Sequence, residues 1–224
     1  LIKGARKMKI DWTKRQLVYD VGINDADYVV KPRINGKMVT CPFYRKWTDM
    51  LQRCYNPKFQ AKCPTYVGCT VAEVWLTFSN FKAWMEKQDW EGKHLDKDLL
   101  DPGNKVYGPE NCVFVSGHIN TLLTDNAANR GAYPQGVNFD KPTGKYKAQC
   151  SVGGRSKHLG RFTTIAEAES TYLTFKSGII AEAAHDQEAL DNNRLHIALL
   201  EYAEAFADKA KAINQLIYPN VQPN

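Results

Sequence analysis

Six residues that could do chemistry crowd one stretch of this chain. His94, Asp96, Asp98, Asn111, His118 and Asn120 all lie in HLDKDLLDPGNKVYGPENCVFVSGHIN, residues 94–120. Oxygen donors of this kind suit a hard divalent ion such as Mg²⁺ or Mn²⁺. An ion held there could stabilise the charge that builds on a phosphate ester during displacement. In an extended chain His94, Asp96 and Asp98 share one side. Asp96 is then a candidate metal ligand and His94 a candidate base. Lys97 stands between the aspartates, and a lysine at its ordinary pKa of about 10.4 does not deprotonate water at neutral pH. It is a poor base and a reasonable phosphate contact. Each residue also has a plain role open to it. Asp96 and Asp98 could be hairpin polar residues, Asn111 a loop cap, and His118 a local hydrogen-bonding group at a helix start.

The elements around them can be read from pattern. HLDKDLL predicts a short strand, DPGNKVYGPEN a turn-rich link, CVFVS a second strand, and GHINTLLTDNAAN a helix with Ser116 as N-cap. Upstream, FYRKWTDMLQRCY places Phe43, Trp47, Met50, Leu51 and Cys54 at helical spacing. VAEVWLTFSNFKAWMEKQ repeats the pattern, with Thr70 and Glu73 spaced as a capping box. This aromatic density reads as core. Residues 1–40 form an expected basic arm, with Lys3, Arg6, Lys7, Lys9, Lys14 and Arg15, followed by a hairpin turning at Asn35-Gly36.

Together YRKWTDMLQRCY, PTYVGCTV, VWLTFSNFKAWM, LDKDLL and YGPENCVFVSGHIN resemble the HNH-type endonucleases encoded by bacteriophages, many of them homing endonucleases. The resemblance covers roughly residues 41–126 and implies a ββα-metal module in domain 41–130. It implies that Asn111 organises the hairpin and that Asn120, with His118 as a second candidate, binds metal on the helix. The family's general-base histidine falls on Lys97, or on Asp96 with a one-residue shift, so the module reads as degenerate. His94, Asp96, Lys97 and Asn111 become the candidate catalytic set, and Asp96, His118 and Asn120 the metal set.

Residues 131–178 carry the sharpest pattern. Gly136 to Asp140 read as a strand, KPTG as a turn, Lys145 to Val152 as a second strand, and RSKHLGRF as a third after Gly153-Gly154. TTIAEAESTYLTFK reads as a helix capped by Thr163 or Thr164 with Glu167 following. Its apolar face uses Ile165, Ala168, Tyr172 and Phe175. The pattern alone gives a three-stranded sheet backed by one helix. Its GV-F, GKY-A, LGRF-T and EA---Y motifs closely resemble the AP2 DNA-binding domain, which lays its sheet in the major groove. That resemblance implies DNA contacts from Gln135, Asn138, Lys145, Lys147, Gln149, Ser151, Arg155, Lys157, His158 and Arg161. Period two sends Ala148 and Cys150 toward the helix and Lys147, Gln149 and Ser151 outward. Ser156 and His158 take the outward slots of the third strand. Several outward slots that are arginine or tryptophan in the plant members are here Gln, Asn, Asp, Ser and His, so base readout is expected to be weaker or different.

Residues 179–224 predict further helix, with Leu195, Leu199, Phe206, Ala210 and Ile213 on one face. That face suits packing within the chain, or a homodimer. The expected class is α+β: a degenerate HNH-like module, an AP2-like sheet and helix, then C-terminal helices. The net charge of +6 fits double-stranded DNA as partner. Neither a signal peptide nor an apolar run of about 20 residues is evident, so a cytoplasmic place, in a bacterial host cell if phage-encoded, is expected and a membrane is not. Six cysteines without a Cys-x-x-Cys pair read as buried free thiols, and structural Zn²⁺ is not expected. Two functions remain open: a metal-dependent endonuclease of duplex DNA, and an inactive HNH fold kept as a DNA-binding module.

Overall fold

The structure, a computed structural model, describes residues 16–124 and 131–219. The N-terminal basic residues 3–15 lie outside the described residues. The chain is mixed α and β and forms two compact units, Leu1–Ser116 and Gly117–Asn224.

The first unit begins with a small hairpin, β1 (Arg33–Ile34) and β2 (Lys37–Met38), antiparallel. Its turn is Asn35-Gly36, with φ of 50° and 76°. Helix α1 (Pro42–Tyr55) starts on a proline, whose fixed φ suits a first turn. It buries Trp47, Met50, Leu51 and Cys54. Helix α2 (Pro57–Lys62) is capped by Asn56, whose side chain accepts from the Phe59 amide at 3.1 Å. Trp75, Phe78, Phe81, Met85 and Tyr107 close the core over α1. The fully buried Trp47 indole donates to the Trp75 carbonyl at 2.7 Å, so no polar atom is stranded there.

The second helical pattern is interrupted twice. Thr70 is not a cap: β3 (Thr70–Val71) pairs parallel with β5 (Val106–Tyr107), and the Thr70 amide donates to the Lys105 carbonyl at 2.9 Å. Helix α3 (Glu73–Leu76) therefore starts after Ala72 with no side-chain cap. Helix α4 (Phe78–Met85) follows a break at Thr77, which is extended. The break has a cause at Ile23, whose amide donates to the Leu76 carbonyl at 2.7 Å and whose carbonyl accepts from the Phe78 amide at 3.0 Å. A crossing strand segment takes the backbone groups that a continuous helix would have used. The unit ends in β4 (His94–Asp96), antiparallel to β6 (Val113–Val115).

The second unit opens with a short helix, α5 (Gly117–Leu122). A three-stranded antiparallel sheet follows in the order β7 (Val137–Asp140), β8 (Lys145–Val152), β9 (Arg155–Phe162). Gly153 and Gly154 turn β8 into β9 with φ of 57° and 76°. Helix α6 (Ile165–Ala184) covers one face, burying Ala168, Tyr172 and Leu173 against Val137, Ala148 and Cys150. Gly136 admits this packing. Its φ is +77°, and a Cβ there would stand 2.1 Å from Tyr172 Cδ2. Helix α6 continues past residue 178, and after α7 (Gln187–Leu190) the chain returns as α8 (Asn193–Ile217) along α6. Small residues permit the close approach: Ser177 donates to the Ala203 carbonyl and Ser170 to Asn214 Oδ1, each at 2.7 Å. Leu195, Leu199 and Ala210 of α8 are buried within the chain.

Thr164 begins α6 with a reciprocal box. Its hydroxyl accepts from the Glu167 amide at 3.2 Å, and the Glu167 carboxylate accepts from the Thr164 amide at 3.0 Å. Thr164→Ala is expected to lower the melting temperature by about 2–4 °C, measured by circular dichroism.

Candidate nucleic-acid interface

The β4–β6 ladder sets His94 opposite Val115, Leu95 opposite Phe114 and Asp96 opposite Val113. The strand stops at Asp96 rather than running to Leu100, and the side chains explain the stop. Asp96 Oδ1 accepts from the amides of Asp98 (3.0 Å) and Leu99 (2.8 Å), which folds the chain into a turn. Lys97 is buried, at 5% exposure. Its ammonium donates to the Asn104 carbonyl at 2.9 Å and pairs with Asp98 Oδ2 at 3.0 Å. Asn104 answers with bonds to the carbonyls of Lys97 (2.6 Å) and Val106 (2.8 Å). Lys97 and Asn104 clamp the two ends of the 97–106 excursion together.

Burial, and next the charge of Asp98, push the Asp96 carboxyl above the usual carboxylate range, against the pull of its two amide donors. Cys112, beside Asp96, is pushed up to about 12 by burial. Asn111 is half-buried two residues before Val113, at the Asp96 end of the ladder, and its amide donates to the Gly108 carbonyl at 3.2 Å. His94 is exposed. His118 and Asn120 lie on α5, in the second unit, with His118 lining a cavity there.

Two of the candidate oxygen donors at the hairpin are already engaged within the first unit. Asp96 spends one oxygen, Oδ1, on the backbone amides of Asp98 and Leu99. Asp98 is spent on Lys97. Among the described residues no group of three or more His, Cys, Asp and Glu is placed to hold a metal.

The sheet offers a different surface. Its outer face is set by register. Asn138, Lys147 and Arg161 align across the three strands, Gln149 faces His158, and Ser151 faces Ser156. Asp140 and Lys145 align at the far end. A β-bulge after Ala148 makes this row. Leu159 and Gly160 together oppose the Ala148 position, so the outward phase of β9 passes from His158 to Arg161. Strict alternation would have turned Gly160 outward and Arg161 inward. Arg161 Nε donates to Asp140 Oδ2 at 2.6 Å, and that bond holds the Asp140 carboxyl below its ordinary range.

The comparisons with known proteins are short: no family model, no curated protein and no solved structure matches this chain.

Not every expected contact residue shares this face. Arg155 pairs with Val152 and Lys157 with Cys150, positions of the helix-facing phase. Lys157 accordingly carries its ammonium over the Phe175 ring of α6, 4.6 Å from the centroid. Gln135 precedes β7 and donates to the Thr124 carbonyl at 3.3 Å. Asn104 and the bulge were missed by sequence reasoning. A glycine inside a strand pattern was the available sign of the bulge.

Proposed function

We propose that the chain is a DNA-binding protein that docks the outer face of the β7–β9 sheet on duplex DNA. The observation that carries this is the row Asn138–Lys147–Arg161 with Gln149–His158 beside it: two cations flanked by amide and imidazole groups, on a sheet whose other face is sealed by α6. Cations of this kind neutralise phosphates. Asn, Gln and His side chains can reach base edges in the major groove, which admits protein elements of this width. The AP2-like motifs support the same reading. The HNH resemblance supports duplex DNA as the partner, while the arrangement of Asp96, Lys97 and Asp98 favours binding without cleavage at the β4–β6 hairpin.

Fluorescence anisotropy of a labelled duplex against salt tests the interface. Binding is expected to weaken linearly on a log–log plot, and Lys147→Ala is expected to shallow the slope by about 0.9. Unchanged affinity and slope in that variant would remove the sheet face from the interface. Supercoiled plasmid incubated with Mg²⁺ or Mn²⁺ is expected to stay supercoiled. Relaxed or linear product, lost in Asp96→Ala, would restore the endonuclease reading.

A further inference from the structure

Lys176 is the least expected buried residue of the second unit. It lies on α6 at 5% exposure, on the face that also buries Tyr172, Leu173 and Ile180. That face calls for apolar residues, since a buried ammonium without a partner is costly. Yet the Lys176 ammonium makes no hydrogen bond or ion pair with any described residue. No fully buried side-chain nitrogen or oxygen among the described residues lacks a partner, so the Lys176 Nζ must reach a surface. Lys176 lines a cavity of about 640 Å³ within the second unit. Leu122, Cys150, Tyr172 and Ile179 supply an apolar wall, and Glu182 and Asp186 also line it. Among those lining residues Lys176 is the only lysine or arginine.

We propose that this cavity binds a small organic anion of single charge, a carboxylate with an apolar body, seated with its carboxylate on the Lys176 ammonium. The volume is in the range of about 300–1,000 Å³ typical of small-molecule sites. The ammonium supplies the charge-assisted bonds a carboxylate needs. Glu182 and Asp186 disfavour a second negative charge on the ligand, as on inorganic phosphate. Burial, opposed only by the Cys150 thiol, pushes the Lys176 amine below the ordinary lysine range, and an arriving anion reverses that penalty.

Isothermal titration of the full chain with acetate, benzoate and 2-naphthoate tests this, with 2-naphthamide as the neutral isostere and inorganic phosphate as the multivalent anion. At least one aromatic carboxylate is expected to bind saturably at one site, about tenfold or more tighter than the amide, with phosphate weaker still. Lys176→Met is expected to bring the carboxylate down to the level of the amide and leave amide binding unchanged, which also shows that the cavity has kept its shape. Should Lys176→Met not fold, Glu182→Gln serves. It alters an exposed residue, and is expected to tighten the carboxylate about two- to threefold. No saturable carboxylate binding up to about 10 mM, equal binding of naphthoate and naphthamide, or indifference to Lys176→Met would overturn the proposal.

Discussion

Replacing Lys147 and Arg161 together by glutamate is expected to lower affinity for duplex DNA by about 10²-fold or more. Both residues align in one transverse row of the sheet, and each replacement removes a cation from the proposed phosphate-binding face and adds an anion. Two controls tie the effect to the face rather than to net charge. Arg155→Glu and Lys157→Glu change the net charge equally, but their positions follow the helix-facing phase of β9. They are expected to cost far less DNA affinity. Asp140→Asn acts in the opposite sense. Asp140 holds Arg161 at 2.6 Å, so the asparagine removes a negative charge from the face and frees the guanidinium. It is expected to tighten binding about two- to fivefold. Anisotropy titrations of these variants at one salt concentration decide the matter. Equal losses from the 147/161 and 155/157 pairs would mean that the chain reads only total charge.

The second unit was more legible in the sequence than the first. Its strands announce themselves by turns that only certain residues make, KPTG and Gly153-Gly154, and by strict alternation along Lys145–Val152. The Thr164–Glu167 box fixes the start of α6 through local hydrogen bonds, which spacing alone reveals. Where the reading missed, a non-local partner had intervened. Thr70 looked like a cap and became a strand because Lys105 and Tyr107 offered a ladder. The helix through Thr77 broke because Ile23 took its backbone groups. Asp98 looked like a strand neighbour of Asp96, yet Asp96 itself ends the strand by accepting from the two amides beyond it. Lys97 looked like a phosphate contact and is buried, because Asn104, seven residues on, returns its hydrogen bonds. Nothing in a one-dimensional pattern encodes those returns.

Asp96→Asn and Asp96→Ala are expected to part company, and the way they part tests the role of the hairpin. Both remove the carboxylate. Asparagine keeps an Oδ1 that can accept from the amides of Asp98 and Leu99, so the turn survives. Alanine leaves both donors unanswered beside a Leu99 that is buried, and is expected to cost about 1–3 kcal/mol. The pH dependence separates the turn from the charge. Because the folded-state pKa of Asp96 is raised, the folded protein keeps its proton to higher pH than the unfolded chain does. Asp96 therefore subtracts stability as pH rises from the unfolded-chain value, about 3.9, through the raised folded value, and subtracts a constant amount above it. Asp96→Asn removes that loss. Its stability relative to the unsubstituted protein is expected to rise across that window and then level, read as urea midpoints at a series of pH values. Midpoints that run parallel at every pH would show that Asp96 is an ordinary ionised carboxylate, free to serve a cation. A divergence would show that the fold disfavours the ionised form across that window.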